Sequence, residues 1–270
     1  MPPRAEYTNP LTRPLQRVGA WLRQHPELAD GVIFLAEQLA TPAGDLHAGE
    51  KIARAVLPPN WWRLTAAERQ QAMSLVGSSA VCLIWVRRAD IVRRLLATED
   101  KAARDTALLA ARAQILDDVD AILKQAYDPK LGAPIAAARE AVAAERAGMH
   151  HAAQALCGSI VSDVLAKHYG TPNFADARRR LEQQSLTMGS VRFWRRASVQ
   201  SALLAAIAQT WVEPRPEGFN RHLTAHGVDS AQFTPAHALE ALLLVGAILR
   251  EVHEIYAPAG GGAPRPLGAP

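Results

Sequence analysis

The chain has 270 residues, 49% apolar and 21% charged, which excludes wholesale disorder and leaves room for one large domain or two smaller ones. Aromatics are only 6% and alternating Val/Ile/Thr/Tyr runs are nearly absent, so the composition argues for helices throughout. A net charge of +4 does not by itself imply nucleic acid, but arginines cluster at "VRRADIVRR" (86–94), "DARRRLEQQ" (176–184) and "SVRFWRRAS" (190–198). Such clusters either form local positive surface or simply solubilise an alanine-rich chain.

In chain order, Val18, Trp21 and Leu22 share one face of a short first helix, and Pro26 opens a second with Leu28, Val32, Leu35 and Leu39 at helical spacing. "GDLHAGEKIARAVL" makes a third, stopped by "PPN" at 58–60, after which Trp61 and Trp62 are expected to seat the N-terminal helices. Thr65, three residues before Glu68, spells a capping box. "SAVCLIWVRRADIVRRLL" is apolar all round in its first half and is expected as a helix at the centre of the N-terminal half. Residues 98–127 are expected as one amphipathic helix with Leu108, Ile115, Val119 and Ile122 on its apolar face, its "LDDVD" (116–120) being a solvated face.

"DPKLGAP" (128–134) supplies the best domain boundary. Beyond it come two helices broken at Gly148, a fresh start at "TPNFADARRRLEQQS", and a helix in "WRRASVQSALLAAIAQTWV". A long apolar helix follows, with Thr234 as N-cap and Pro235 at its first position. The division expected is 1–127, an N-terminal helical region, 134–257, a second helical domain, and 258–270, a tail that cannot pack. Cys82 and Cys157 lack any CxxC partner and read as small buried thiols of a reducing compartment. The N-terminus has no signal-peptide core, and "AVCLIWV" and "ALLLVGAIL" are too short to span a bilayer, so a soluble, cytoplasmic protein without a membrane partner is expected.

The chemistry concentrates in "GFNRHLTAHGV" (218–228). His222 and His226, four apart, stack on one helical face, a spacing that suits zinc; but HExxH is absent and no third ligand adjoins them, so no metal and no cofactor is expected. Arg221 and His226, five apart, fall on different sides of a regular helix, and they serve equally as helix-end caps. Phosphate-binding glycine loops and two-metal acidic clusters are missing from the sequence.

An arginine with a polar neighbour, a histidine a few positions on, then a glycine and a long apolar helix resembles the Arg-(x)4–6-His signature of the HEPN superfamily. The likeness covers roughly 134–256 and implies an all-α fold, a C-terminal HEPN-like bundle preceded by the N-terminal helical region. It also implies a metal-independent endoribonuclease acting as a homodimer on RNA, in phage defence or a toxin-like stress role, with a regulatory protein partner possible. Arg221 would clamp phosphate, His226 would transfer protons, and His222 would be an auxiliary donor. Asn220 would assist, Arg192, Arg195 and Arg196 would guide RNA, and Asp163 would orient an imidazole, balance Arg221, or form a surface ion pair. Phe193 and Trp194 read as packing residues before base-stacking ones. HEPN domains also serve as noncatalytic scaffolds, and that alternative stays open.

Overall fold

The computed structural model describes residues 60–61, 64–79, 81–85, 88–168, 176, 193–207, 218–226 and 231–256. The helices expected before residue 58, the "TPNFADARRRLEQQS" start apart from Asp176, and the tail lie outside the described residues. The chain divides into two compact units, residues 1–57 with 187–194 and residues 58–186 with 195–270; of the first, only Phe193 and Trp194 are described. Among the described residues all regular structure is helical and there is no strand: the fold is all-α. In order, the helices are α1 (Ala66–Ser79), α2 (Ala89–Leu96), α3 (Lys101–Ala110), α4 (Arg112–Gln125), α5 (Gly132–Arg146), α6 (His150–His168), α7 (Phe193–Ala206), α8 (Arg221–His226) and α9 (Pro235–Tyr256).

Local hydrogen bonds start and stop several of these helices as the sequence suggests. Thr65 N–H donates to Glu68 Oε2 at 2.7 Å and Glu68 N–H to Thr65 Oγ1 at 3.2 Å, the reciprocal capping box of α1. Asp100 caps α3 by accepting from Ala103 N–H at 2.8 Å. Thr234 Oγ1 accepts from His237 N–H at 3.1 Å, with Pro235 in the first turn of α9 where no N–H is needed. Gly148 takes φ +79°, and the bonds Gly148 N–H to Glu145 O and Met149 N–H to Ala144 O, both 2.9 Å, close α5 in a Schellman turn.

Two expected helices are shaped otherwise. Val81, Cys82, Leu83, Ile84 and Trp85 are all buried, as their apolarity demands, but they form a non-helical link between α1 and α2. Their backbone takes partners from far along the chain: Leu83 O accepts from Asn60 Nδ2 and from Trp61 Nε1. Trp61, fully buried, thus secures this link. The stretch 98–127 is two helices meeting at Ala111, whose N–H is shared between Ala107 O and Leu108 O. No proline or glycine marks that joint; α3 and α4 each pack on α9, and the bend lets both do so. Asp117 in "LDDVD" is exposed and pairs with Arg146, but Asp118 is buried, so this segment is only partly a solvated face.

The core is built around α9. Every residue from Ala236 to His253 is buried, and α3, α4, α5 and α6 all pack against it. The predicted apolar face of 108–122 meets it directly: a Cβ at Gly246 would lie 3.5 Å from Val119 and 4.0 Å from Ile122. Each fully buried Leu, Ile or Val here contributes roughly 1.5–3 kcal/mol. "DPKLGAP" forms a one-turn 3-10 helix, Pro129–Leu131, running straight into α5, and α4 and α5 pack together across it. Glu145, fully buried at the end of α5, accepts from Arg112 Nε at 2.8 Å and meets His150 Nδ1 at 2.8 Å, tying α4, α5 and the start of α6 together. No described helix is long and apolar enough to cross a membrane.

Candidate functional site

The histidine-rich segment is held from below before any of its chemistry is presented. Gly218, Phe219 and Asn220 are buried. A Cβ at Gly218 would sit 2.3 Å from Ser79 O and 2.7 Å from Glu240 Oε2, so only glycine fits here. Glu240 of α9, 1% exposed, accepts the Phe219 N–H at 2.6 Å. Burial pushes its carboxyl up to about 8, so it is largely neutral at pH 7. A neutral acid in this position accepts a backbone N–H without placing an uncompensated charge in the core.

Asn220 then starts α8. Its Oδ1 accepts from His222 N–H at 2.9 Å and Leu223 N–H at 3.2 Å, which makes it the N-cap. It is fully buried, and these bonds hold the first turn of α8.

The face of α8 turned to α6 is fixed by polar contacts. Gln154 Nε2 donates to Thr224 Oγ1 at 3.0 Å and to Gln232 O at 3.1 Å; Arg221 Nε donates to Ser162 Oγ at 2.8 Å. The structure brings His222 and His226 together, their rings stacked at 6.1 Å between centroids and 12° between planes. His226 is exposed. Burial, then Arg221, then His226 hold the His222 pKa below the ordinary histidine value, which keeps it neutral at pH 7. Burial also lowers Arg221, which nevertheless stays a cation. The turn therefore combines a guanidinium, a neutral imidazole and an exposed imidazole within one helical turn and a half.

The other expected site residues fare differently. Asp163 pairs with Lys167 at 2.7 Å, one turn along α6. Arg192, and the side chains of Arg195, Arg196, Phe193 and Trp194, lie outside the described residues. Four other described histidines are engaged elsewhere: His150 with Glu145, His151 against Phe233 at 5.2 Å, His237 Nδ1 with Gln232 O at 2.7 Å, and His253 against Tyr127 at 4.6 Å. Among the described residues no group of three His, Cys, Asp or Glu side chains is placed to hold a metal ion, and the His222–His226 pair gains no third ligand there.

Ser162, Gln154 and Glu240 were not singled out from the sequence. Gln154, Gly158 and Ser162 recur at four-residue spacing on α6, and Glu240 is a lone acid in an apolar run; both patterns were available signals. Comparison with protein-family models, with curated protein sequences and with solved structures returns no significant match.

Proposed function

We propose that the chain is a metal-independent endoribonuclease of the HEPN type, with α8 as its catalytic turn. The observation that carries this reading is the stacked His222–His226 pair one residue from a guanidinium fixed against α6. RNA cleavage through its own 2′-hydroxyl needs a base to take that proton, an acid to protonate the departing 5′-oxygen, and a cation on the phosphorane. His226, an exposed imidazole, moves the proton. Arg221 holds the phosphate oxygens with a planar fork. His222, kept neutral, is the auxiliary group that orients the nucleotide. The products are a 2′,3′-cyclic phosphate and a 5′-hydroxyl.

Five residues of regular helix separate Arg221 and His226 by roughly 140°, so a shared site on two copies of the chain unites them most directly. The test is RNA cleavage in EDTA by wild type, Arg221→Ala and His226→Ala. Chelator-resistant cleavage lost in both variants supports the reading; absence of cleavage by the wild type rejects it, and cleavage abolished by EDTA restores a metal mechanism. If two copies share a site, mixing the two inactive variants recovers about a quarter of the wild-type rate, because half the random dimers carry one intact pairing; no recovery on mixing removes the shared site.

A noncatalytic, partner-binding scaffold is the second reading. It is favoured by the hydrogen bonds that Asn220 and Thr224 spend inside the turn. Intact folding with no cleavage of any RNA selects it.

A further inference from the structure

We infer that Ser162 is a positioning residue for Arg221, fixing which edge of the guanidinium meets a phosphate; this rests on the phosphate-binding reading of α8. The argument begins with spacing. Gln154, Gly158 and Ser162 follow one another at intervals of four along α6, so they stack on a single face. Each of them meets α8. Gln154 donates to Thr224 Oγ1 at 3.0 Å. Gly158 leaves room for the same threonine, since a Cβ there would come within 3.3 Å of Thr224 Cγ2. Ser162 receives Arg221 Nε at 2.8 Å. The stripe thus sets both the distance and the register of α8 against α6.

Proton accounting then fixes the direction of each bond. A guanidinium has donors only, so the Ser162 oxygen must accept from Arg221. The Ser162 hydroxyl proton is therefore given to Gly158 O, 2.9 Å away and one turn back. Thr224 repeats the arrangement: its hydroxyl accepts from Gln154 and donates to Asn220 O at 2.8 Å. Neither hydroxyl can rotate without breaking two bonds. With Nε committed to Ser162, a phosphate at Arg221 is not met by the edge of the guanidinium that carries Nε. Asp163, the neighbouring carboxylate on α6, is paired with Lys167.

The experiment uses the full chain and a 2′-O-methylated RNA oligonucleotide, which binds but cannot be cleaved. Affinity is measured for wild type, Ser162→Ala, Ser162→Thr and Arg221→Ala. Ser162→Ala weakens binding about fivefold to tenfold, the scale of one hydrogen bond to a charged group; Ser162→Thr, which keeps the hydroxyl, restores it to within about twofold. In parallel, the Arg221 Nε–H resonance is protected from solvent exchange in wild type and in Ser162→Thr, and loses that protection in Ser162→Ala. A merely structural contribution to α6 would not give rescue together with this resonance change. Wild-type affinity in Ser162→Ala overturns the assignment, as does unchanged affinity in Arg221→Ala. Cleavage of ordinary RNA in EDTA is scored separately: the expected binding pattern without cleavage rejects the nuclease while leaving Ser162 in its role.

Discussion

Glu240→Gln isolates the titration of the buried acid beneath the site. Glu240 is 1% exposed and accepts the Phe219 N–H at 2.6 Å. Burial raises its carboxyl from 4.5 to about 8; the Phe219 N–H and the charges of Lys101 and Arg104 oppose that rise, and Asp105 adds to it. Between those two values the folded chain holds a proton that the unfolded chain has released. Stability from this group is therefore fully present below 4.5 and is lost as pH rises through about 8. Each pH unit in that window costs about 1.4 kcal/mol, so the loss reaches a few kcal/mol by pH 7, a large part of the ~5–15 kcal/mol that holds a domain folded. Glutamine keeps an acceptor for Phe219 but does not titrate. The buried amide adds an offset that is independent of pH, so the slope is the quantity to read. Urea denaturation of both proteins from pH 5 to 8.5, followed by far-UV circular dichroism, should show the variant gaining on the wild type steadily and then levelling off. Parallel pH profiles would refute the reasoning.

Three further outcomes follow from the same anchoring. Gly218→Ala drives a methyl group into Ser79 O, which would lie 2.3 Å from it, and should cost about 3 kcal/mol by chemical denaturation. Asn220→Ala removes the cap of α8 and should cost about 1 kcal/mol, with Asn220→Asp recovering most of it; the same melts read both. Cys82, pushed up to about 12, and Cys157, raised further, are buried free thiols, so Ellman's reagent should find neither in the native protein and both after unfolding.

What was legible in the sequence was what local hydrogen bonds decide. Thr65 with Glu68, Thr234 with Pro235, and Gly148 mark helix ends because their partners lie within a few residues. The apolar spacing of Leu108, Ile115, Val119 and Ile122 gave the buried face of α3 and α4 for a similar reason. Residues 81–85 could not be read this way. Their burial follows from composition, but their non-helical path depends on Asn60 and Trp61, more than twenty positions earlier. The joint at Ala111 is likewise set by packing on α9 and has no breaker residue to announce it. At the site, the four-residue stacking of His222 and His226 was readable. The capping by Asn220, and the supports from Ser162, Gln154 and Glu240, depend on which helices become neighbours.

These supports also explain why a six-residue helix holds its shape. A helix this short is unstable alone, since nucleation fixes several residues before the hydrogen bonds repay it. Here α8 is bound from two directions by elements far apart in sequence. Glu240 of α9 grips the backbone just before it, while Gln154 and Ser162 of α6 grip its side chains. Because α6 packs on α9, both grips belong to one interface. The Gln154 amide reinforces it by bonding Gln232 O, the carbonyl that also meets His237 Nδ1 at the start of α9. Arg221 and the stacked histidines are therefore placed by α6–α9 packing, more than by the intrinsic helicity of "RHLTAH". It follows that core substitutions between α6 and α9 should disturb the site even when they leave every site residue unchanged.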